Sequence, residues 1–356
     1  MQDKKTIQDT KCKNCNVLVR TDYNVPTENG KIVDNLRIKA SLPTLKYLIE
    51  NGAKKIIVIS HLGRPEGTRK PELSLEPVAK ELQKLLPETP VNFVDDVSGP
   101  DVEMAAKKLP KGGILLLENL RFFSGEESNS EYFVREIVDS VHANLFVQDG
   151  FAVVHRAHAS TDAITKLIPS VAGLLVKKEV ETLSKVLEAP KKPLMVVIGG
   201  AKVEDKQPLI EVFAKTADQI VVGGKIAADG YRTDKDNIYV AEDFDEDASG
   251  TKLDVGPVAT AKICELISSA KTVIWNGVLG KVEYPAYATS SVALATCLGQ
   301  NSEITSVICG GDTTAFVNEL AKTRSLDFSL VSTGGGAALE FLCGKDLPGI
   351  DGLWSK

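Results

Sequence analysis

Nine short runs of mostly apolar residues recur along the chain and constrain its fold more than any other feature. Unbroken rather than alternating apolarity is typical of parallel strands that are covered on both faces. Amphipathic stretches such as Leu42–Glu50 and Val78–Leu86 lie between the runs. The pattern predicts an α/β fold with doubly wound, Rossmann-like parallel sheets. The runs are Val17–Val19, Ile56–Ile59, Ile114–Leu117, Leu145–Val147, Met195–Ile198, Ile220–Val222, Val273–Trp275, Ser306–Ile308 and Leu330–Val331.

The length of the chain predicts two domains rather than one. A chain of 356 residues exceeds what a single hydrophobic core usually fills, and each half supplies its own series of apolar runs. Between the halves, Ala172–Ala189 carries apolar residues at helical spacing, and Pro190 follows it. This segment predicts an interdomain helix. We therefore expect an N-terminal domain over residues 1–171 and a C-terminal domain that begins with this helix at residue 172.

Charge and composition exclude several classes of function. A net charge of -6 and a pI near 5.5 argue against nucleic-acid binding, which needs a basic surface. The apolar runs fall far short of the roughly 20 residues that span a bilayer. The polar opening Met1–Asn16 lacks the apolar core of a secretory signal, which favours a cytoplasmic protein. Cys12 and Cys15 form one C-x-x-C without a second pair, so we expect neither disulfides nor a zinc site.

In the first half of the chain, arginines follow the predicted strands. Residues there would lie at the carboxyl edge of a parallel sheet, where ligands bind. Any single arginine could be a solvated surface charge, but a repeated pattern predicts a site for a small substrate with several negative charges. His61 is a candidate donor to that substrate. The segments are Arg20-Thr-Asp22-Tyr-Asn24-Val-Pro26, Asp34-Asn-Leu-Arg37, His61-Leu-Gly-Arg64-Pro65, Glu118-Asn-Leu-Arg121-Phe122 and His155-Arg156-Ala-His158.

In the second half, glycines follow the predicted strands instead. Glycine permits close approach of the backbone, and amides at helix starts bind phosphate, so the pattern predicts a nucleotide site. One glycine pair alone could be only a tight turn. Neither G-x-x-x-x-G-K-[ST] nor G-x-G-x-x-G occurs. The segments are Gly199-Gly200-Ala-Lys202, Gly223-Gly224, Asn276-Gly277, Gly310-Gly311-Asp312-Thr313 and Ser332-Thr-Gly334-Gly335-Gly336.

Two lysines and an aspartate accompany these glycines. Lys202 and Lys206 are four residues apart and would share one face if their segment opened a helix, so both could point at phosphates. The alternative is a pair of exposed lysines. Asp312 could cap the next helix, or it could hold Mg²⁺ through water, since magnesium keeps most of its hydration and takes few carboxylates.

Taken together, these motifs resemble the phosphoglycerate kinase family over nearly the whole chain and in the family's order. The resemblance implies that the tail, residues 341–356, returns to the N-terminal domain and leaves 172–340 as the C-terminal one. It implies binding of 3-phosphoglycerate or 1,3-bisphosphoglycerate to the N-terminal domain through Asp22, Asn24, Arg37, His61, Arg64, Arg121 and Arg156. It implies binding of ATP or ADP to the C-terminal domain, with Mg²⁺ at Asp312, through Lys202, Lys206, Gly223, Gly224, Gly256, Asn276, Glu283, Gly310, Gly311, Asp312 and Thr313.

The reaction that the resemblance implies is reversible phosphoryl transfer between 1,3-bisphosphoglycerate with ADP and 3-phosphoglycerate with ATP, in glycolysis and gluconeogenesis. The attacking carboxylate is ionised at neutral pH, so no general base is required. Catalysis would depend on alignment and charge stabilisation, and on hinge closure of a monomer. The candidate catalytic residues are Arg37, Lys202, Lys206, Gly334 and Gly335.

Three departures from the family's pattern lie around the expected nucleoside pocket. Lys225 stands where a third glycine is usual, Val278–Glu283 replaces a proline and a Val-Phe pair, and the segment between Gly224 and Leu253 is shorter. They leave open a catalytically impaired relative that binds substrate as a scaffold or sensor. A two-domain dehydrogenase is a third hypothesis, and the absence of the dinucleotide-binding motif G-x-G-x-x-G disfavours it.

Overall fold

The computed structural model describes residues 3–204 and 206–356. The chain divides into two compact units: unit 1 comprises Met1–Glu181 with Asp346–Lys356, and unit 2 comprises Thr182–Lys345. The boundary lies inside a single helix, Leu174–Glu188, where the sequence predicts the interdomain helix. Within the described part of the chain, no helix is long and apolar enough to cross a membrane. The binding of one substrate by each unit stays a prediction.

Unit 1 is built on a parallel sheet. Its strands are β1 (Asn16–Arg20), β2 (Thr27–Glu28), β3 (Lys31–Ile32), β4 (Lys55–Ile59), β5 (Val91–Val94), β6 (Ile114–Leu117), β7 (Leu145–Gln148) and β8 (Ser170–Ala172). The sheet has the order β5-β6-β4-β1-β7-β8 with every neighbouring pair parallel, while β2 and β3 form a separate antiparallel pair. Its helices are α1 (Leu36–Glu50), α2 (Glu76–Leu85), α3 (Pro100–Lys108), α4 (Ser124–Glu127), α5 (Glu131–Val141) and α6 (Leu174–Glu188), which continues into unit 2.

Both faces of this sheet are buried, which explains the unbroken apolar runs. Successive residues of a strand point to opposite faces. In β1, Val17 and Val19 belong to one hydrophobic core cluster, and Leu18 belongs to another. In β4, Val58 belongs to the first cluster and Ile57 to the second. Since each face meets its own apolar layer, every position of these strands favours an apolar side chain.

Unit 2 contains a second parallel sheet. Its strands are β9 (Leu194–Ile198), β10 (Gln219–Val222), β11 (Ile238–Val240), β12 (Phe244–Glu246), β13 (Lys252–Val255), β14 (Thr272–Asn276), β15 (Thr305–Cys309) and β16 (Leu330–Val331). The sheet has the parallel order β11-β10-β9-β14-β15-β16, and β12 and β13 form an antiparallel hairpin. Its helices are α7 (Gln207–Phe213), α8 (Gly224–Ala228), α9 (Pro257–Ser269), α10 (Thr289–Gly299), α11 (Gly311–Thr323) and α12 (Gly335–Leu342), and a last helix, α13 (Pro348–Asp351), belongs to unit 1.

The strand order of the unit 2 sheet is that of the Rossmann fold. In this fold, the first half of the chain adds strands toward one edge of the sheet and the second half adds them toward the other edge, and the order switches between two central strands. Here those strands are β9 and β14. Ligands bind in the crevice outside the carboxyl ends of the strands at such a point. The fold-class prediction is therefore confirmed, and it places the glycine-rich segments at the edge where a ligand is expected.

All nine predicted strands are present, but the sequence did not reveal every strand of the two sheets. The edge strand β5 is only half-buried, and β8 has three residues, so neither gives a continuous apolar run. The polar segment 229–254 holds β11, whose residues Ile238–Val240 form a short strand-like run in the sequence, together with β12 and the start of β13.

Candidate active site

A buried ion pair organises the carboxyl edge of the unit 1 sheet. Arg20, the last residue of β1, is fully buried and lies 3.8 Å from the carboxylate of Glu126. Its Nε donates to Ser160 Oγ at 2.8 Å. Ser160 in turn donates to Glu126 from its amide at 3.0 Å and from its hydroxyl at 2.6 Å. Arg20 is not among the predicted substrate residues, although an arginine that ends an apolar run is a signal of a buried charge.

His61 follows β4 and is a neutral donor. Arg20 Nη2 lies 3.2 Å from His61 Nδ1, and because a guanidinium only donates, Nδ1 accepts and the proton of the ring is on Nε2. Burial lowers the pKa of His61 well below its usual value, and the nearby positive charges of Arg20, Arg121, Arg37 and Arg156 lower it further. Three of the predicted arginines, Arg37, Arg121 and Arg156, therefore lie near this histidine together with Arg20.

The loop after β1 carries Asp22 and Asn24. Arg37, in the first turn of α1, pairs with the carboxylate of Asp22, which is nearly buried, while the Arg37 side chain is 36% exposed. Asn24 Oδ1 accepts a hydrogen bond from the amide of Gly63 at 2.9 Å. This bond ties the loop after β1 to the loop after β4, so that the predicted substrate residues form one surface.

Positive charge accumulates on this surface. Arg121 Nη1 donates to the carbonyl oxygen of Gly63 at 2.8 Å, and its Nε lies 3.2 Å from the carboxylate of Glu127. Burial, followed by repulsion from Arg20, lowers the pKa of Arg121 to about 10. A bound anion would relieve this repulsion, which favours an anionic ligand.

The remaining residues of the predicted substrate site lie at the margin of this cluster. Arg156 is half-buried, with its Nε 3.4 Å from His155 Nε2. Burial and then the charge of Arg121 lower the pKa of His158 to about 4. Arg64 is exposed, and within residues 3–204 and 206–356 it makes no hydrogen bond or ion pair. Its guanidinium is therefore available to a ligand.

In unit 2, several glycines allow loops to pack backbone against backbone. A Cβ on Gly199 would lie 2.3 Å from the carbonyl oxygen of Val278, and one on Gly277 would lie 2.2 Å from that of Gly199. A Cβ on Gly335 would lie 2.7 Å from Gly310 Cα. Chain packing therefore explains these glycines without any ligand. A Cβ on Gly311, at the start of α11, would meet nothing within 4 Å, so this glycine leaves its helix start open.

A cavity of about 600 Å³ is lined by α8, the β12–β13 hairpin and the loop after β14. Of the predicted nucleotide residues, Gly224, Glu283 and Asp312 line it. Lys225 also lines it, with Nζ 2.6 Å from each carboxylate oxygen of Asp229. Residues from all three departures from the family's pattern therefore line this cavity.

A second cavity of unit 2, about 460 Å³ in volume, brings together residues from four strand ends. Lys206 Nζ donates to Asn276 Oδ1 in its wall. Helices α11 and α12 begin at its wall, and amides at helix starts can bind phosphate. The predicted residues that line it are Lys206, Asn276, Gly310, Gly311 and Gly335.

The structure corrects the expectation that Lys202 and Lys206 share a helical face. Helix α7 begins only at Gln207, and Lys202 lies before it, exposed, in irregular chain. Gly200 adopts φ +98°, which is incompatible with a helix, and Pro208 in the first turn favours a helix start there. Lys206 lines the second cavity of unit 2, whereas Lys202 lines neither of the two cavities described above.

Four other predicted residues line neither cavity. Gly256 precedes α9, whose first amides are already capped by Asp243, at 2.9 Å from Val258 N and 2.7 Å from Ala259 N. Thr313 is buried, and its hydroxyl accepts from the amide of Gly277 at 2.8 Å. The other two are Gly223, where a Cβ would lie 2.8 Å from the Leu279 side chain, and Gly334, which precedes α12.

Asp312 fits the ligand chemistry of Mg²⁺. It is exposed in the first turn of α11 and does not occupy the N-cap position, which belongs to Gly310. In residues 3–204 and 206–356, no group of three His, Cys, Asp or Glu side chains is placed to hold a metal ion. Mg²⁺ is usually held by one or two carboxylates together with substrate phosphates and water, so a single carboxylate at the cavity wall is a sufficient protein ligand.

The fold and the site define an α/β enzyme with one sheet edge suited to an anionic substrate and another suited to a nucleotide. The family model described as phosphoglycerate kinase matches residues 7–239 and 228–345. The phosphoglycerate kinases of Moorella thermoacetica and Dictyoglomus turgidum are 39% and 38% identical to the chain, each over 99% of it and 100% of the relative. The chain belongs to the phosphoglycerate kinase family, which consists of phosphotransferases, and the resemblance read from its motifs is confirmed.

Solved structures support the same assignment. The phosphoglycerate kinase of Coxiella burnetii matches with a TM-score of 0.80 and 34% identity, and that of Pyrococcus horikoshii with 0.86 and 27%. Each match covers 98% of both chains. The alignment with the Moorella relative spans 398 positions, more than the 356 residues of the chain, so the chain lacks residues that this relative has.

Proposed function

We propose that the protein transfers a phosphoryl group reversibly between 1,3-bisphosphoglycerate with ADP and 3-phosphoglycerate with ATP, in glycolysis and gluconeogenesis. The observation that carries the proposal is the gathering of four arginines around a neutral His61 at the carboxyl edge of the unit 1 sheet. Membership of the phosphoglycerate kinase family supports the same reaction.

Unit 1 is proposed to bind 3-phosphoglycerate or 1,3-bisphosphoglycerate. Either molecule carries several negative charges, which match the excess of positive charge around Arg121. His61 would donate from Nε2 to a ligand oxygen without adding charge. Asp22 would orient Arg37, and Asn24 would hold the loops in register. The proposed substrate residues are Asp22, Asn24, Arg37, His61, Arg64, Arg121 and Arg156.

Unit 2 is proposed to bind ATP or ADP. The 600 Å³ cavity has the size of a small-molecule binding site, and Glu283 and Gly224 line it. The second cavity, with Lys206 and the starts of α11 and α12, would take phosphates. The other proposed nucleotide residues are Lys202, Gly223, Gly256, Asn276, Gly310, Gly311, Asp312 and Thr313. Mg²⁺, held by Asp312 and phosphate oxygens, would neutralise charge on the nucleotide.

The chemical step needs no proton transfer from the protein. A carboxylate oxygen of 3-phosphoglycerate bonds to the γ-phosphorus of ATP as the bond to the β,γ-bridging oxygen breaks, and ADP leaves with the electron pair. Arg37 and Lys202, one from each unit, are proposed to stabilise charge on the transferring group. Lys206 and the helix start at Gly334 and Gly335 would support the nucleotide phosphates. Because the substrates are assigned to different units, we also propose hinge closure when both are bound.

Activity is tested by 3-phosphoglycerate-dependent formation of ADP from MgATP. We expect turnover that Lys202→Ala lowers by at least about 100-fold, the scale on which loss of one positioned charge affects catalysis. Lys215→Ala, which removes an exposed lysine outside both cavities, should leave turnover unchanged. Absence of turnover in a protein that still binds 3-phosphoglycerate would contradict the proposal and favour the non-catalytic relative.

Closure and assembly are tested in solution. Small-angle scattering should show a more compact particle with both substrates present than with either alone, and identical profiles would contradict closure.

We further propose a cytoplasmic monomer that binds neither nucleic acid nor membranes. Light scattering of the protein as it elutes from a size-exclusion column should give the 38.3 kDa mass of one chain, and twice that mass would contradict the monomer.

A further inference from the structure

Two cysteines of unit 2 are in direct contact. Cys264 on α9 and Cys297 on α10 have their Sγ atoms 2.8 Å apart, and both are free thiols. Both cysteines are half-buried rather than fully enclosed. The two helices are held together by a shared hydrophobic core cluster that includes Ile263 and Leu294. The contact is therefore a property of the packed core rather than of a loop.

The two thiols are unequal. The hydrogen bond between the two side chains lowers the pKa of Cys297 to about 7 and raises the pKa of Cys264. The thiolate is the nucleophilic form of cysteine, and Cys297 forms it near neutral pH. By contrast, burial raises the pKa of Cys12 and of Cys343. Cys297 is thus better prepared for reaction than those two cysteines.

We propose that Cys264 and Cys297 are a thiol-oxidation site that forms a reversible disulfide by exchange with a small disulfide such as oxidised glutathione. The Cys297 thiolate attacks one sulfur of the oxidant and releases one glutathione thiolate, which leaves a mixed disulfide on Cys297. Cys264 loses its proton and attacks Cys297 Sγ, which releases the second glutathione. Two electrons pass from the cysteine pair to the oxidant, and an excess of thiol reverses both steps.

The geometry favours the intramolecular bond over a persistent adduct. A disulfide has an S–S distance of about 2.05 Å, so the two sulfur atoms must approach by less than about 1 Å. The bond would join α9 to α10, and α10 begins at the wall of the 600 Å³ cavity, where the Ser290 amide lies 3.1 Å from the buried carboxylate of Asp254. Oxidation would therefore stiffen a helix pair that supports this wall.

The chemical test is peptide mapping of the full-length protein after treatment with oxidised glutathione. Digestion without reductant should yield one cross-linked product that joins the peptides of Cys264 and Cys297. Two of the six thiols should disappear in a titration of the unfolded protein, and dithiothreitol should restore them. A stable glutathione adduct on Cys297 without the cross-link, or a bond between other cysteines, would overturn the proposal.

Variants and a physical measurement complete the test. Cys264→Ser should convert the product into a Cys297–glutathione adduct, whereas Cys15→Ser should leave the cross-link intact. Oxidation of the wild type should raise the Tm of unit 2 by several degrees, because the bond closes a loop between residues 33 apart in sequence. An unchanged or lower Tm after complete cross-linking would contradict the stiffening. None of these readouts depends on kinase activity.

Discussion

Single residues at the unit 1 edge show how buried charge is used to position a neutral histidine. Arg20 cannot move toward solvent, because it is fully buried and its guanidinium is engaged by Ser160, His61 and Glu126. Burial of two charges costs several kcal/mol per ion, which their attraction offsets only with good hydrogen bonding. We infer that the pair is retained for the site, since it fixes the tautomer of His61.

Removal of the Arg20 side chain should lower the free energy of unfolding far more than removal of an exposed arginine side chain. We expect Arg20→Met to lower the free energy of unfolding by about 3–5 kcal/mol, because Glu126 is left as a buried unpaired charge. The control, Arg135→Met, removes the exposed partner of Glu131 and should cost less than about 1 kcal/mol. Urea denaturation measures both, and equal losses would contradict the importance of the buried pair.

At the scale of elements, the glycines at two helix starts have different roles. One is required by close packing of the backbone, and the other leaves space for a ligand. Gly335, at the start of α12, is enclosed by the backbone of Gly310, whereas Gly311, at the start of α11, faces open space. Both line the second cavity of unit 2. Substitution by alanine should therefore distinguish packing from ligand contact.

We expect Gly335→Ala to lower the free energy of unfolding by about 1–3 kcal/mol, because its Cβ would overlap backbone atoms. Gly311→Ala should leave stability unchanged or slightly higher, since alanine favours a helix. It should nevertheless raise KM for MgATP if the start of α11 contacts phosphate. Thermal unfolding measures the stability of both variants, and steady-state kinetics measure KM for MgATP. An unaltered KM in Gly311→Ala would argue against the phosphate contact.

The start of helix α6 depends on a buried carboxyl group. Asp149 Oδ1 accepts hydrogen bonds from the Thr44 hydroxyl at 2.8 Å and from the Leu175 amide at 3.0 Å. Burial raises the pKa of Asp149 to about 7, although these hydrogen bonds oppose the shift. The folded protein therefore keeps a proton on Asp149 in a pH range where the unfolded chain has lost it, above about pH 4.

This group should make the protein less stable as pH rises from about 4 to 7, by up to about 1.4 kcal/mol per pH unit, because the folded state binds the extra proton. Asp149→Asn cannot titrate and should lack this contribution. We expect the free energy of unfolding of the variant, relative to the wild type, to rise across that range. Urea titrations at several pH values measure the difference, and parallel curves for the two proteins would contradict the shifted pKa.

At the scale of the whole molecule, the two tryptophans report on different units. Trp275 is fully buried in β14 of unit 2, and Trp354 lies in the tail that belongs to unit 1. The tail is held in unit 1 by backbone hydrogen bonds, from Trp354 to Ser170 at 2.9 Å and from Lys5 to Trp354 at 2.7 Å. Each tryptophan can therefore follow the unfolding of its own unit.

Each substrate should stabilise the unit to which it is assigned. In Trp275→Phe, the fluorescence of Trp354 should show a higher Tm with 3-phosphoglycerate, and in Trp354→Phe, that of Trp275 should show a higher Tm with ADP. A ligand at 100 times its Kd adds about 2.7 kcal/mol to stability. The reverse pattern of shifts would contradict the assignment of substrates to units.

The sequence by itself determined the fold class, the nine apolar strands and the family. Continuous apolar runs are a local signal of strands buried on both faces, as in β1 and β4. Residues that follow such strands must meet at one sheet edge, so the convergence of Asp22, His61 and Arg121 could be predicted without coordinates. Edge strands such as β5 escaped this reasoning, because half-buried strands lack the continuous run.

Only the tertiary structure decided what the environment does to each group. Arg20 meets Ser160 across 140 residues of sequence, and no local pattern encodes that contact. Glycines that looked alike in sequence divide into Gly277, enclosed by another loop, and Gly311, open to a ligand. The pKa values of His61 and Asp149 follow from burial and from neighbours brought by distant segments. Desolvation and close packing act through space, so they exist only once the chain has folded.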